Sequence, residues 1–135
     1  MFIAETNVRV RYAETDQMGY VYYGNYAMYY EVARVETLRN LGFAYKELED
    51  MGIMMPVLEL KTTYLLPGKY DELLKIRVCI PKMPTVKILF NYEIFNEKEQ
   101  LINSGETALA FIKMSTGKPC RMPEVMKDLL TPFFN

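Results

Sequence analysis

The sequence predicts an α+β fold in which an antiparallel sheet wraps around one long central helix. Three observations carry that reading. From Asn25 onward, Tyr26, Tyr30, Ala33, Thr37 and Leu41 recur at helical spacing, and Met28, Val32 and Val35 widen the apolar stripe. Beyond Pro56 the texture changes to four runs with strand character. The 135 residues contain no repeat, low-complexity tract or internal linker, so residues 1–135 are expected to share one core.

Each element has its own signal. Ala4 to Tyr12 sets Val8, Val10 and Tyr12 against Asn7, Arg9 and Arg11, a half-buried strand. A loop from Asp16 to Gly24 follows, with Gly19 relaxing the backbone. The helix after it runs for roughly sixteen residues by pattern. Asn25 or the residue just before it is placed to cap its start, and Gly42 to stop it. A helix so widely apolar should be wrapped rather than laid on a surface. A shorter helix fits Tyr45 to Met51, ended by Gly52 and followed by Pro56. Strands then fit Val57 to Leu66, Glu72 to Ile80, Thr85 to Asn96 and Leu101 to Met114, with turns at Pro67 and Gly68, at NEKEQ and at STGKP. Pro123 to Leu130 closes the chain as a helix with Pro123 near its start. The expected topology is one strand, one buried helix and four strands in meander-like succession. Its exposed strand edges invite pairing between subunits, so a homodimer or a dimer of dimers is expected.

Composition narrows the function. A net charge of -1 supplies no broad field for nucleic acid or an anionic membrane. Cys79 and Cys120 are too few for a disulfide framework, which points to a reducing cytoplasm. No run approaches the ~20 apolar residues of a membrane span, and no secretory signal pattern opens the sequence, so a soluble chain is expected. The sequence has no histidine, which excludes Ser-His-Asp and Cys-His catalysis and histidine-ligated metals. Nucleotide-binding loops and metal clusters are absent too, so neither cofactor nor metal is expected.

What remains for chemistry is a carboxylate and backbone amides. Asp16 is the only acid between Thr15 and Tyr30. As an ordinary loop aspartate it would only shape a turn. Its place ahead of a buried helix makes it expensive unless it has a partner or a use. Tyr22, Tyr23 and Gly24 lead into that helix, whose first N–H groups are unsatisfied and carry roughly half a positive charge. Such amides can hold an oxyanion, and losing one donor typically costs about 3 to 4 kcal/mol of barrier. Simple packing at the helix start would explain the same residues without chemistry. A thioester is the acyl donor that best suits this equipment, since its leaving thiol needs no imidazole to protonate it.

The run RYAETDQMGYVYYGNY, continuing through YYEVARVETLRNLG, resembles the hotdog-fold acyl-CoA thioesterases of the 4-hydroxybenzoyl-CoA thioesterase type. ELKTTYLLPGKYDELLKIRV and SGETALAFIKMSTGKP are similar to the same family, so the resemblance spans nearly the whole chain. It implies a hotdog fold, an acyl-CoA substrate, and a homodimer or homotetramer with the site at the subunit interface. It also implies that Asp16 is the catalytic carboxylate, as general base or nucleophile, and that the backbone N–H of Tyr23 holds the thioester oxygen. Some relatives carry histidine where this chain has Tyr23; the backbone role does not depend on that side chain. Gln17 and Gly24 fall beside these two as substrate-binding candidates. Thr62 and Thr63 lie on a strand that faces the site across the interface in similar proteins. Lys82, Lys118 and Arg121 are the candidates for coenzyme A phosphates. The same resemblance leaves two rival readings, a thioesterase acting on acyl carrier protein and a non-catalytic acyl-binding module.

Overall fold

A computed structural model describes residues 1–134. Ten elements follow in chain order: β1 (Phe2–Arg9), α1 (Tyr26–Leu41), α2 (Tyr45–Asp50), β2 (Ile53–Met54), β3 (Val57–Tyr64), β4 (Leu73–Ile80), β5 (Lys87–Phe95), β6 (Leu101–Ala110), β7 (Ile112–Lys113) and α3 (Glu124–Leu130). A five-stranded antiparallel sheet in the order β1-β4-β5-β6-β3 carries α1 on one face. Alternation sorts the strands. Leu74, Ile76, Val78 and Ile80 of β4 are buried, as are Ile88, Phe90, Tyr92 and Ile94 of β5, while the residues between them face outward.

α1 ends where the sequence says it should. Gly42 adopts a left-handed φ of +99° and returns its N–H to the last turn, a conformation that suits glycine. The sheet wraps α1 on one side. Tyr29, Arg34 and Leu38 share the buried side with Tyr26, Tyr30, Ala33, Thr37 and Leu41, whereas Met28 and Val32 are exposed, because one sheet covers only one side of a helix. Asn25 does not cap α1. Its side chain turns back instead, and Nδ2 donates to the Glu14 carbonyl at 2.9 Å.

The first strand stops earlier than its pattern. Val10 is the last buried position, and Tyr12 opens a short 3-10 turn with its ring 80% exposed, because the Glu14 carboxylate captures the Arg11 N–H and guanidinium. The four-strand meander is also corrected. β4, β5 and β6 form one, but β3 lies at the far edge beside β6, not beside β4. Residues 65–72 are therefore a crossover and not a hairpin turn. Their backbone is committed elsewhere: Gly68 accepts from Val21 N–H at 2.8 Å, while Tyr70 and Asp71 donate to Gly19 and Val10, each at 3.0 Å. The final strand run divides near Phe111, and β7 pairs with β2, a strand of two residues too short for any periodicity to reveal.

β3 is left bare. Val57, Leu58, Leu60 and Tyr64 are exposed along it, and Leu65 and Leu66 continue the apolar edge. Among the described residues, no helix is long and apolar enough to cross a membrane, and no group of three or more histidine, cysteine or acidic residues could hold a metal ion.

Candidate active site

The crossover fixes the loop that carries Asp16. Bridges join Thr15 to Val21 and Tyr20 to Lys69, so both limbs of the loop are tied, one to the other and one to the crossover. Within it the Asp16 N–H donates to Tyr20 O at 2.8 Å, and Gly19 N–H donates to Asp16 O at 3.0 Å. Gly19 makes the turn with a φ of +76°, in the left-handed region. The side chain is held as firmly. Oδ1 accepts the N–H groups of Met18 at 2.8 Å and Tyr20 at 3.2 Å, and Oδ2 has no donor among the described residues. Asp16 is half-buried where two clefts meet.

The smaller cleft, of about 360 Å³, is lined by Tyr20, Val21, Tyr23, Tyr26, Tyr64 and Leu66 among others. Tyr23 begins a 3-10 turn that runs directly into α1, with Asn25 already in helical geometry. Asn25 N–H donates to Tyr22 O at 2.9 Å, but the N–H groups of Tyr23 and Gly24 have no acceptor among the described residues. Two free amides therefore stand at the positive end of a sixteen-residue helix, and Tyr23, which carries the first, lines the same cleft as Asp16. The Tyr23 side chain is 65% exposed, and its carbonyl accepts the Tyr64 hydroxyl at 3.0 Å. Tyr64 also meets the Tyr23 and Tyr26 rings edge-on, at centroid separations of 6.5 and 5.5 Å. Burial raises the Tyr26 phenol above its ordinary value, so that hydroxyl stays protonated.

The other candidates scatter. Gln17 is exposed in the larger cleft, about 760 Å³, with Tyr12, Thr15, Gly19 and Tyr70. Gly24 is exposed beside Tyr23. Thr62 faces α1, where its hydroxyl pairs with Tyr30 at 2.8 Å and accepts from Asn103 Nδ2 at 3.0 Å; Tyr30 also donates to Asn103 Oδ1. Thr63 points to the opposite face of the sheet, with Asn91, Glu93 and Ser104, away from the Asp16 clefts. Lys82, Lys118 and Arg121 lie beyond the other end of the sheet. β4 runs eight residues from the Asp16 end toward Lys82, about 25 Å at roughly 3.3 Å per residue.

Sequence reasoning passed over Glu14. Its carboxylate is buried, with the residue only 5% exposed. Oε1 accepts the Arg11 N–H at 3.0 Å and the Tyr29 hydroxyl at 2.9 Å, and Oε2 accepts Arg11 Nε at 2.7 Å. Burial pushes this carboxyl up, but the Arg11 and Tyr29 bonds outweigh it and hold the group below its ordinary value. An acid two residues before Asp16 was the only local hint.

The family pattern of the thioesterase-like superfamily matches residues 10–130, which include Asp16, the free amides and the whole sheet apart from β1. The chain belongs to that superfamily. Among its relatives, the acyl-CoA thioester hydrolase YbgC of Escherichia coli is 31% identical over 117 residues, 87% of each chain. The solved DHNA-CoA thioesterase from Staphylococcus aureus superposes with a TM-score of 0.90 at 39% identity, covering 98% of this chain and 89% of its own. A 4-hydroxybenzoyl-CoA thioesterase bound to 4-hydroxybenzoyl-CoA matches at a TM-score of 0.84 over 96% of this chain and 99% of its own, with 17% identity, a likeness of fold alone. The hotdog architecture of this superfamily member is thus the expected one, an antiparallel sheet carrying a long helix.

Proposed function

We propose that the protein is an acyl-CoA thioester hydrolase that releases a free carboxylic acid and coenzyme A. The observation that carries this reading is the pairing, in one cleft, of an open Asp16 oxygen with Tyr23, the first of two residues with unpartnered N–H groups at the helix start. The substrate carbonyl lies against the Tyr23 N–H, with Gly24 behind it, and the helix dipole stabilises the charge that develops on oxygen. Asp16 then either takes a proton from the water that adds to the carbonyl carbon, or adds to that carbon itself to form a mixed anhydride that water opens; in each case the C–S bond breaks and coenzyme A leaves as its thiolate. In both routes the thiol leaves without help from imidazole. The names and similarity of YbgC and the S. aureus enzyme support this reaction class.

Asp16→Asn should abolish thiol release from acyl-CoA while leaving the circular dichroism spectrum and Tm unchanged; hydrolysis persisting at the wild-type rate refutes the assignment. Single turnover in oxygen-18 water separates the two routes, because label enters the Asp16 carboxylate only if it is the nucleophile. Assays of one acyl group on coenzyme A and on acyl carrier protein test the carrier; a net charge of -1 gives the chain no overall positive field for an acidic carrier protein. The rings of Tyr23, Tyr26 and Tyr64 favour a planar aromatic acyl group in the smaller cleft.

The working unit we propose is a homodimer joined through the bare edges of β3, with a dimer of dimers as the larger assembly. Antiparallel pairing of two β3 strands reverses one sheet against the other, which brings the partner's Lys82, Lys118 and Arg121 end toward Asp16. Within one chain these basic residues lie beyond the opposite end of β4 from Asp16.

A further inference from the structure

Glu14 belongs to neither half of the proposed chemistry, yet it touches the supports of both. We propose that Glu14 is a positioning residue that holds the Tyr23 and Gly24 amides in register with Asp16; this rests on the hydrolase reading above. Its carbonyl accepts two donors from the helix start, Tyr22 N–H and Asn25 Nδ2, each at 2.9 Å. These residues flank the two free amides on either side. Its carboxylate reaches the Tyr29 hydroxyl, one turn into α1, and takes the other two bonds from Arg11. Along the chain Glu14 is separated from Asp16 by Thr15 alone, and Thr15 is itself bridged to Val21. One residue therefore closes the frame between acid and amides from both sides.

The choice of a charged group here is informative. Burying a carboxylate costs solvation, and apolar residues of the same shape often serve stability as well or better. What a carboxylate adds is direction: two oxygens aimed at donors on two different segments. Catalytic donors need such aim, because a misplacement of about 1 Å can cost about a hundredfold in rate. Arg11, the other half of the pair, is exposed, whereas Glu14 is held in the interior.

The test compares Glu14→Gln and Tyr29→Phe with Ile88→Val, a core control on β5 remote from the site, at a temperature where all three are folded. Glu14→Gln should lower kcat about tenfold to a hundredfold with KM within about twofold of wild type. Tyr29→Phe, which removes a single bond to the carboxylate, should lower kcat by a smaller factor, and it carries the test alone if Glu14→Gln does not fold. Ile88→Val should lose Tm and keep kcat. An unchanged kcat in the folded Glu14 and Tyr29 variants, or an equal kcat loss in the control, overturns the proposal. Asp16→Asn, assayed alongside, tells the two failures apart. If it remains active, Asp16 is not the catalytic acid and that assignment falls; if it is dead while Glu14→Gln keeps wild-type kcat, only the positioning role falls.

Discussion

Asp16 keeps one carboxylate oxygen occupied by two amides and leaves the other open, a division of labour that suits a group required both to stay still and to react. Glu14, two residues earlier, has both oxygens engaged and is purely a fixture. Its lowered pKa has a consequence for stability. A carboxyl held below its ordinary 4.5 in the folded state contributes stability that is full above that value and is lost as pH falls through the lower, folded value. The melting temperature of the wild type should therefore fall through that acidic window, and Glu14→Gln should flatten this limb. An identical pH dependence of Tm in the two proteins would show that Glu14 does not titrate as described. The two acids also differ in legibility. Asp16 was readable because its turn is local, set by Gly19 and amides within four residues. Glu14 was not, because Tyr29 lies fifteen residues away and meets it only through the packing of α1.

Among the elements, α1 and β6 depend on one close contact. Gly105 lies under Tyr30, and a Cβ there would collide with the phenol ring and hydroxyl. Burial raises the Tyr30 phenol to about 12, so it stays protonated and donates to Asn103, which in turn donates to Thr62. Gly105→Ala should push the ring out of this network and lower stability by about 1 to 3 kcal/mol, as overpacking typically does; a Tm equal to wild type would count against the contact. Gly42→Ala should cost about 1 to 2 kcal/mol for a different reason, the left-handed backbone at the end of α1, and chemical denaturation measures it. These two glycines show what a sequence discloses at this scale. Gly42 follows directly from the end of a helical pattern. Gly105 sits inside a strand pattern, and only the arrival of Tyr30, seventy-five positions earlier, explains it.

For the whole molecule, the bare β3 edge and the distance between Asp16 and the basic residues point the same way. Leu60→Lys should convert a dimer to a monomer in analytical ultracentrifugation and take the activity with it; a fully active monomer would exclude an interface site. A mixing experiment tests the sharing directly. Chains carrying Asp16→Asn and chains carrying Lys118→Ala with Arg121→Ala are each impaired alone. Refolded together, they should regain sites of wild-type KM, because one of the two sites in each mixed dimer joins an intact Asp16 to an intact basic pair. Mixtures that keep the raised KM would mean that each chain serves its own site, or that these residues do not hold the coenzyme.

The sequence by itself determined the one long helix and its stop, most strand positions, the exclusion of imidazole chemistry and the glycine-turned loop that carries Asp16. All of these rest on spacing of a few residues or on composition, where local sterics and hydrophobic periodicity act directly. Tertiary structure alone decided that β3 leaves the meander for the far edge, that Tyr12 turns out to solvent, that Glu14 becomes a buried hub and that Thr62 and Thr63 part to opposite faces. Those outcomes depend on pairings between residues tens of positions apart, such as β3 with β6 and Glu14 with Tyr29, and such pairings are set by which surfaces can be buried together and not by any neighbour in the chain.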